Sequence, residues 1–353
     1  MSSSFGTLFC ITTFGESHGP AVGVVVDGMP PGIRVEAADV QRELDRRRPG
    51  QSALTTPRRE SDQVEILSGL FEGVTLGTPV ALLVRNADAR SQDYEALRDV
   101  FRPGHADHAT FAKYGVRDHR GGGRSSGRET VGRVAAGALA KVALATVGVS
   151  LVGGTVQVGE VRAARRDWDE VERNPVRCPD AEAAPRLAAA IEAARAARDS
   201  VGGVVEVVAR GVPAGWGDPV MARLDALLGA ALLSIPATKG VEIGDGFALA
   251  LRSGSESNDV FDGQRHLTNH AGGISGGISN GAEVVARVAV RPTASIGRSQ
   301  VASTPQGGTA PITIEGRHDP CICPRLVPVA EAMMAVTLAD AWLRQRALRG
   351  RDR

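Results

Sequence analysis

Residues 123–129, with the sequence GRSSGRE, combine residue types that can bind an anion. The glycines let the backbone approach a ligand closely, and a helical pattern follows directly, so N–H groups at the helix start would favour negative charge. The stretch also provides two hydroxyls and two positive charges, from Ser125, Ser126, Arg124 and Arg128. Its order matches neither a P-loop nor a dinucleotide-binding fingerprint. A capping box of Ser126 and Glu129 is the simpler interpretation, and the residues alone leave both open.

Histidines occur in two other polar stretches. His18 follows Ser17 in TFGESHGP, where an imidazole could act as a general acid, contact an anion, or simply belong to a turn. His105 and His108 lie three residues apart in FRPGHADH, a spacing that would let both bind a metal from one helix face. The preceding Pro-Gly pair favours a turn instead. A zinc hydrolase using both histidines and nearby acids is therefore an alternative.

The chain is rich in arginine, with only three lysines among its 41 basic residues. Guanidinium groups offer a planar fork of donors that fits carboxylate and phosphate. Arg46, Arg47 and Arg48 in LDRRRPG could serve this purpose, although such a run is typical of a solvated helix end. The net charge of +1 indicates neither nucleic acid nor a membrane surface as a partner.

Two further stretches lie in the second half of the chain. The glycine pairs of residues 269–281 and the nearby RPTAS at residues 291–295 suggest backbone contact with a flat or phosphorylated ligand, or a hairpin connection. In EGRHDP, residues 315–320, the carboxylate of Asp319 could be placed against a cofactor, or the stretch could form a capped turn.

Length and composition indicate a soluble globular protein of 353 residues, 42% apolar and 23% charged. Four cysteines are too few for a disulfide scaffold and favour a reducing cytoplasm. Zinc at Cys321 and Cys323 would need two more ligands. No apolar run reaches the roughly 20 residues of a membrane span. The first basic residue is Arg34, so no signal peptide is predicted.

Apolar periodicity predicts alternating strands and helices. The predicted strands are 21–28, 64–67, 79–86, 150–159, 203–212 and 282–292, with a strand pair or bulged strand in 241–251. The predicted helices are 36–48, 129–147, 185–198, 219–233 and 327–348. Long irregular loops are expected at 87–127 and 258–281. The pattern predicts one α+β domain spanning 1–353, with two related halves.

The order of the motifs is more specific than any one of them. TTFGESHG, DGMPPG, LDRRRPG, RSQDY, FRPGHAD, RGGGRSS, KGVEIGDGF, AGGISGGISNG, RPTAS and GRHDP follow one another from residue 12 to 320. This series resembles the chorismate synthase family over essentially the whole chain. The resemblance implies a single-domain β-α-β sandwich, with a helical core between antiparallel sheets and long glycine-rich active-site loops, assembled as a homotetramer.

The resemblance also implies an activity. The family is a group of lyases that remove phosphate from 5-enolpyruvylshikimate-3-phosphate by 1,4-anti elimination to give chorismate. This is the last common step of the shikimate pathway and of aromatic amino acid biosynthesis. The reaction requires reduced FMN (FMNH2) without net redox change, and some members use NADPH as the reductant. The implied partner is a small-molecule substrate, with no nucleic acid, membrane or metal.

Residue roles carry over position by position. His18 matches the histidine beside the substrate phosphate, and His105 matches the one that protonates reduced flavin near N1. Asp319 matches the carboxylate that helps flavin N5 take the C6 proton. Ser17 and Ser126 match serines that relay or orient protons.

The remaining matches concern binding. Cofactor-binding positions correspond to Arg124, Ser125, Ser126, Pro236, Ala237, Gly276, Arg291, Pro292, Thr293, Ala294, Ser295 and Arg317. Substrate-binding positions correspond to Arg47, Arg48 and Arg128. Two positions depart from the pattern: Ala53 stands where some members have arginine, and Pro236 where some have asparagine. The alternative from another class is a non-catalytic, arginine-rich binder of a phosphorylated ligand or RNA, although 4% aromatic residues argue against RNA.

Overall fold

The computed structural model describes residues 3–51, 54–55, 60–87, 94–95, 97–314 and 318–349. The N-terminal half forms a five-stranded antiparallel sheet in the order β1-β2-β3-β7-β4. Its strands are β1 (Ser4–Phe5), β2 (Cys10–Gly15), β3 (Ala21–Asp27), β4 (Val64–Ile66) and β7 (Val80–Arg85). Between β4 and β7 in the chain, β5 (Leu70–Phe71) and β6 (Val74–Thr75) form a separate hairpin. Val24 pairs with Leu82, and both side chains are buried on the inner face.

The C-terminal half forms a second five-stranded antiparallel sheet, in the order β11-β14-β10-β8-β9. Its strands are β8 (Ser150–Val158), β9 (Val161–Arg162), β10 (Gly203–Arg210), β11 (Thr238–Ile243) and β14 (Val284–Val290). Two short hairpins accompany it: β12 (Ile274–Ser275) with β13 (Ile278–Ser279), and β15 (Gln300–Ser303) with β16 (Thr309–Ile312). The valine-rich β10 pairs with both β8 and β14, which makes it a central strand.

The described residues contain seven α-helices in all. They are α1 (Ala37–Arg47), α2 (Asp107–Tyr114), α3 (Thr130–Ala145), α4 (Ala184–Ala196), α5 (Leu224–Leu233), α6 (Gly254–Ser257) and α7 (Cys323–Arg349). Two of them, α3 and α7, lie between the sheets. Helices α3 and α7 pack so closely that a Cβ on Gly137 would stand only 2.2 Å from Cβ of Ala332. Helix α3 also contacts the first sheet and α7 the second. The predicted α+β fold with a helical core between antiparallel sheets is therefore confirmed.

Helix α7 is apolar on nearly every face. Among the described residues it alone is long and apolar enough to cross a membrane, yet 94% of its most apolar window is buried in the protein. Burial by α3 and the second sheet explains that composition, since a helix that is hydrophobic all round belongs in a core.

Several predicted boundaries were wrong. Residues 10–15, for which no strand was predicted, form strand β2, and the loop predicted at 87–127 contains α2. Helix α5 begins at Leu224 rather than 219, because residues 218–222 form a turn closed by a backbone hydrogen bond. The predicted range 241–251 contains no second strand after β11 ends at Ile243. Residues 246–251 form a 3₁₀ turn instead, with Phe247 and Leu251 exposed.

Candidate active site

A cavity of about 280 Å³ lies beside the first turns of α3 and α7. It gathers many of the residues singled out in the sequence: Arg47, His105, Ser125, Ser126, Arg128, Pro236, Ala237, Arg291, Thr293, Ala294, Ser295 and Asp319. These residues come from both halves of the chain and from at least five separate segments. A second cavity of about 500 Å³ adjoins it and is lined by Arg124. The two share His105, Ser125, Pro236, Ala237 and Arg291.

Arginines are the commonest charged residues in the described lining of the first cavity. Its described lining includes five arginines, Arg47, Arg102, Arg128, Arg291 and Arg325, but only two carboxylates, Glu60 and Asp319. Apolar side chains form another part of the wall: Ile235, Ile322, Leu326 and Val329. This combination suits a ligand that has both anionic groups and a flat apolar part.

A buried carboxylate, Asp62, organises two of these arginines. Its side chain is fully buried and accepts a hydrogen bond from Arg47 at 2.8 Å and another from Arg128. Arg47 also donates to Thr130 Oγ1 at 3.1 Å and to the Gly127 carbonyl at 3.2 Å. Burial lowers the pKa of Arg47 to about 10, although the neighbouring Asp62 opposes that shift. The guanidinium groups are thus held rigidly before any ligand arrives.

A third arginine joins this group from α7. Arg325 forms an ion pair with Asp319 and donates from Nε to the backbone carbonyl of Arg47 at 3.2 Å. The ends of α1 and α7 therefore meet at the cavity wall. Asp319 is 9% exposed, and the positive charge of Arg325 holds its carboxylate at the cavity edge.

His105 belongs to a second cluster on the opposite side. Its Nδ1 lies 2.8 Å from Oδ1 of Asp107, a carboxylate that is 3% exposed. Arg102 donates to the same carboxylate from Nε at 2.7 Å and from Nη2 at 2.9 Å. Burial alone would raise the pKa of Asp107, but the hydrogen bonds from Arg102 and His105 hold it well below its usual range. Asp107 is therefore an ionised acceptor.

Ser17 and His18 lie behind the glycine turn that borders the cavity. Ser17 Oγ is 3.3 Å from His18 Nδ1, and the His18 ring meets Tyr94 edge-on, with the ring centroids 4.9 Å apart. Gly121 has a φ of +68°, and a Cβ there would stand 2.1 Å from Cε1 of His18. Only glycine permits both the left-handed backbone and this close approach.

Comparisons with known proteins bear on the whole chain. The family model described as chorismate synthase matches residues 9–343. The chain belongs to the chorismate synthase family.

Individual relatives agree. Chorismate synthase of Chloroflexus aggregans is 56% identical over 352 residues, covering 98% of this chain and 97% of its own length. The enzyme of Opitutus terrae is 54% identical, covering 98% of each chain. That of Methanosarcina mazei is 56% identical, covering 96% of each. A crystal structure of a chorismate synthase superposes with a TM-score of 0.76 at 31% identity, covering 96% of this chain and 93% of that one.

Some residues selected by family resemblance lie away from the first cavity. Arg48 is half exposed and faces Asp45 at 3.7 Å. Gly276 lies in the turn between β12 and β13, and Pro292 does not line the first cavity although its RPTAS neighbours do. Arg317 and the departure at Ala53 lie outside the described residues.

Two simpler interpretations of the motifs were wrong. Ser126 and Glu129 form no capping box, because Ser126 Oγ accepts from the Arg128 N–H at 3.2 Å while Glu129 binds Thr13 and Arg133 instead. The RRR run is not a solvated helix end, since Arg47 is 3% exposed.

Arg46, in the same run, is partly buried and belongs to an ion network. It donates to Glu331 of α7 at 2.6 Å, and Glu331 is 1% exposed. Lys141 of α3 donates to the same carboxylate at 2.5 Å. The network ties α1 to both core helices, next to the point where Arg47 enters the cavity.

The metal alternative has no set of ligands in the described part of the chain. No three His, Cys, Asp or Glu side chains gather there to hold an ion. His105 is engaged by Asp107, and His108 packs edge-on against Phe101, with centroids 5.5 Å apart. The two histidines of FRPGHADH therefore contact different residues.

Sequence reasoning did not identify Asp62, Arg102, Asp107 or Arg325. Arg102 and Asp107 lie inside FRPGHAD, so charged residues on both sides of His105 were a usable signal. Asp62 and Arg325 lie outside every motif, and no local pattern pointed to them.

Proposed function

We propose that the protein is the lyase that converts 5-enolpyruvylshikimate-3-phosphate to chorismate and phosphate with reduced FMN, as the last common step of the shikimate pathway. The observation that carries the proposal is the cavity in which five arginines and an apolar wall converge on His105 and Asp319. Family membership supplies the reaction class, and the cavity supplies groups suited to its anionic ligands.

The residues present fit a flavin nucleotide. The arginines and the hydroxyls of Ser125, Ser126, Thr293 and Ser295 would hold its phosphate and polar ring edge, while the apolar wall would face the ring system. Reduced FMN would supply electron density for the elimination. Pro236 has no N–H, so any contact there uses its carbonyl or ring.

The protein's own groups have distinct tasks. Arg47 and Arg128, fixed by Asp62, would bind substrate anions, and positive charge near the leaving phosphate stabilises the charge that develops as the C–O bond breaks. His18, supported by Ser17, would meet that phosphate. His105 would hold a proton at the flavin edge. Asp319 would help to remove the substrate proton, and Ser126 would relay or orient it.

The decisive experiment is anaerobic turnover. Purified protein is mixed with dithionite-reduced FMN and 5-enolpyruvylshikimate-3-phosphate, and chorismate absorbance and phosphate release are followed together. We expect equal amounts of both products, and only with reduced FMN. Tight binding of both ligands without turnover would favour the non-catalytic phospho-ligand binder instead. Replacing dithionite by NADPH tests whether the protein reduces its own FMN.

The proposal extends to assembly and location. Phe247, Leu251 and Met221 are more than 80% exposed, as expected for residues covered in an oligomer, and we propose a homotetramer. Light scattering should give four times the 36.7 kDa chain mass. All four cysteines are free thiols, which fits the reducing cytoplasm.

We also propose that the chain is one domain of two related halves. Each half is a five-stranded antiparallel sheet followed by one core helix, α3 or α7. Because α3 and α7 pack on each other, the halves should unfold together in one calorimetric transition. Two separate transitions would contradict this arrangement.

A further inference from the structure

We propose that Asp107 is a positioning residue for His105. It fixes the ring as the Nδ1–H tautomer, so that Nε2 is the nitrogen that can exchange a proton at the cavity. This inference rests on the proposed function, in which His105 holds a proton at the flavin edge. Asp107 itself does not line either cavity and so acts through His105.

The contacts around Asp107 use both of its oxygens. Oδ2 accepts from Arg102 Nε at 2.7 Å and from the Arg102 backbone N–H at 3.1 Å. Oδ1 accepts from Arg102 Nη2 at 2.9 Å and faces His105 Nδ1 at 2.8 Å. Arg117 approaches Oδ1 at 3.8 Å as a further cation. The carboxylate is thus held from several directions, and His105 is one of its partners.

The tautomer follows from the chemistry of these groups. An ionised carboxylate can only accept, so a hydrogen bond with Asp107 requires a hydrogen on Nδ1 of His105. Arg102 Nη2 also lies 3.0 Å from that Nδ1. A guanidinium only donates, so Arg102 could pair only with a bare Nδ1, but its Nη2 already donates to Oδ1 of Asp107 at 2.9 Å and the charged carboxylate is the stronger partner for the ring. In the neutral ring, Nε2 must then be the unprotonated nitrogen.

The other edge of the ring faces the glycine turn. A Cβ on Gly122 would lie 2.8 Å from Cε1 and 3.0 Å from Nε2 of His105, and Gly122 has a φ of +97°. His105 lines both cavities, at their shared boundary. A ligand proton can therefore be exchanged with Nε2, while Nδ1 stays engaged with Asp107.

The position of Asp107 argues against a purely local structural role. Asp107 is the first residue of helix α2, where a carboxylate could cap the helix. No side chain caps this helix, however. The Asp107 carboxylate turns back toward Arg102 and His105 instead. An Asp107→Asn variant separates the two roles. Its amide oxygen would keep the two Arg102 contacts that Oδ2 makes, while its NH2 group would replace Oδ1, lose the bond from Arg102 Nη2, face Nδ1 and favour the opposite tautomer.

The first test reads the tautomer directly in unmodified protein. Magic-angle-spinning ¹⁵N NMR of histidine-labelled protein, without ligands, is recorded at rising pH until the His105 ring is neutral. The signals of His105 are identified by subtracting the spectrum of His105→Gln. We expect a protonated Nδ1 and a bare Nε2, and in Asp107→Asn the reverse. A bare Nδ1 in the unmodified protein would overturn the proposal, whether or not the variant folds.

The second test is a kinetic cycle. Asp107→Asn should lower kcat about 10- to 100-fold with little change in KM, as loss of an orienting partner of a catalytic histidine does. In a His105→Ala background the same change should have no further effect, because the two residues act as a unit. Independent, multiplying losses would show a general structural role and would contradict the inference.

Asp118→Asn is the matched control for the cycle. Asp118 lies in the same polar segment and pairs with Arg120 at 2.8 Å, and it lines neither of the two cavities. Its removal should leave kcat unchanged. The two proposals fail separately: a correct tautomer in a protein without lyase activity would reject only the function. Normal turnover in Asp107→Asn would reject only the role of Asp107.

Discussion

Nη1 of Arg47 lies 2.8 Å from Oδ2 of Asp62, and both side chains are almost fully buried. Asp62 stands in the left-handed region with a φ of +46°, and its other oxygen accepts from Arg128. Asp62 is therefore the counter-charge of Arg47, and it shares Arg128 with Glu60, whose carboxylate lies 3.0 Å from that guanidinium. Without Asp62, the buried charge of Arg47 would be uncompensated in a poorly hydrated site.

Asp62→Asn should destabilise the protein by about 3 kcal/mol, because it leaves buried Arg47 without its counter-charge and removes one of the two carboxylates that pair with Arg128. Asparagine tolerates the left-handed backbone, so the change tests charge rather than strain. Urea unfolding at fixed protein concentration measures the difference. The control is Asp45→Asn, whose partner Arg48 is half exposed, and it should cost less than about 1 kcal/mol. Equal effects of the two changes would contradict the assigned role of Asp62.

Gly121→Ala should reduce turnover sharply, because its Cβ would displace the His18 ring. Gly115→Ala is a close match for backbone strain. Gly115 has a φ of +71° against +68° for Gly121, but nothing lies within 4 Å of its added Cβ. Both variants should lose about 1 kcal/mol of stability. Only Gly121→Ala should lose activity, measured by chorismate formation. Similar kcat values in the two variants would show that His18 need not hold its observed position.

His18→Ala and His105→Ala should each lower kcat by about 10- to 10³-fold while the fold survives, the usual contribution of one acid–base group. His266→Ala is the control, because His266 packs against Phe261, away from the cavity. Circular dichroism establishes folding, and the anaerobic assay gives kcat. Full turnover in His18→Ala or His105→Ala would remove that histidine from the mechanism.

The Glu331 network predicts a pH dependence of stability. Burial alone would raise the pKa of Glu331, but Lys141 and Arg46 lower it from 4.5 to about 2. The unfolded chain then binds more protons than the folded one between these values, so stability rises with pH there. The contribution of Glu331 is complete above the unfolded value and is lost as pH falls toward about 2.

Comparison with Glu331→Gln isolates this contribution. The difference in unfolding free energy between the two proteins should be about 3 kcal/mol at pH 7. It should shrink as pH falls from 4.5 toward about 2, as chemical denaturation at several pH values would show. A difference that does not change with pH would mean that the carboxylate is not ionised in the fold.

Ala237→Gly should raise the unfolding free energy by about 1 kcal/mol, since Ala237 has a φ of +68° and glycine removes that strain. The backbone bond from Arg291 N–H to the Ala237 carbonyl, at 3.0 Å, needs no side chain and should persist. Ala310→Gly, in strand β16 with an ordinary backbone, is the control and should lose stability. Thermal unfolding distinguishes gain from loss, and a loss in both would show that Ala237 is unstrained.

The sequence by itself determined the element types and the family. Strands such as β3, β8, β10 and β14 and helices such as α1, α3 and α7 were predicted within a few residues, because burial of one face imposes a periodicity that neighbouring residues display. The ordered motifs also selected most of the residues that line the cavity.

Only the tertiary structure decided which charges are buried and with whom they pair. Arg46 meets Glu331 across 285 residues, and Arg128 meets Asp62 across 66. Such pairs leave no periodic trace in sequence, since a single contact between distant segments constrains only its two ends. For the same reason the RRR run resembled a solvated helix end, and no local pattern indicated that Asp62 pairs with Arg47.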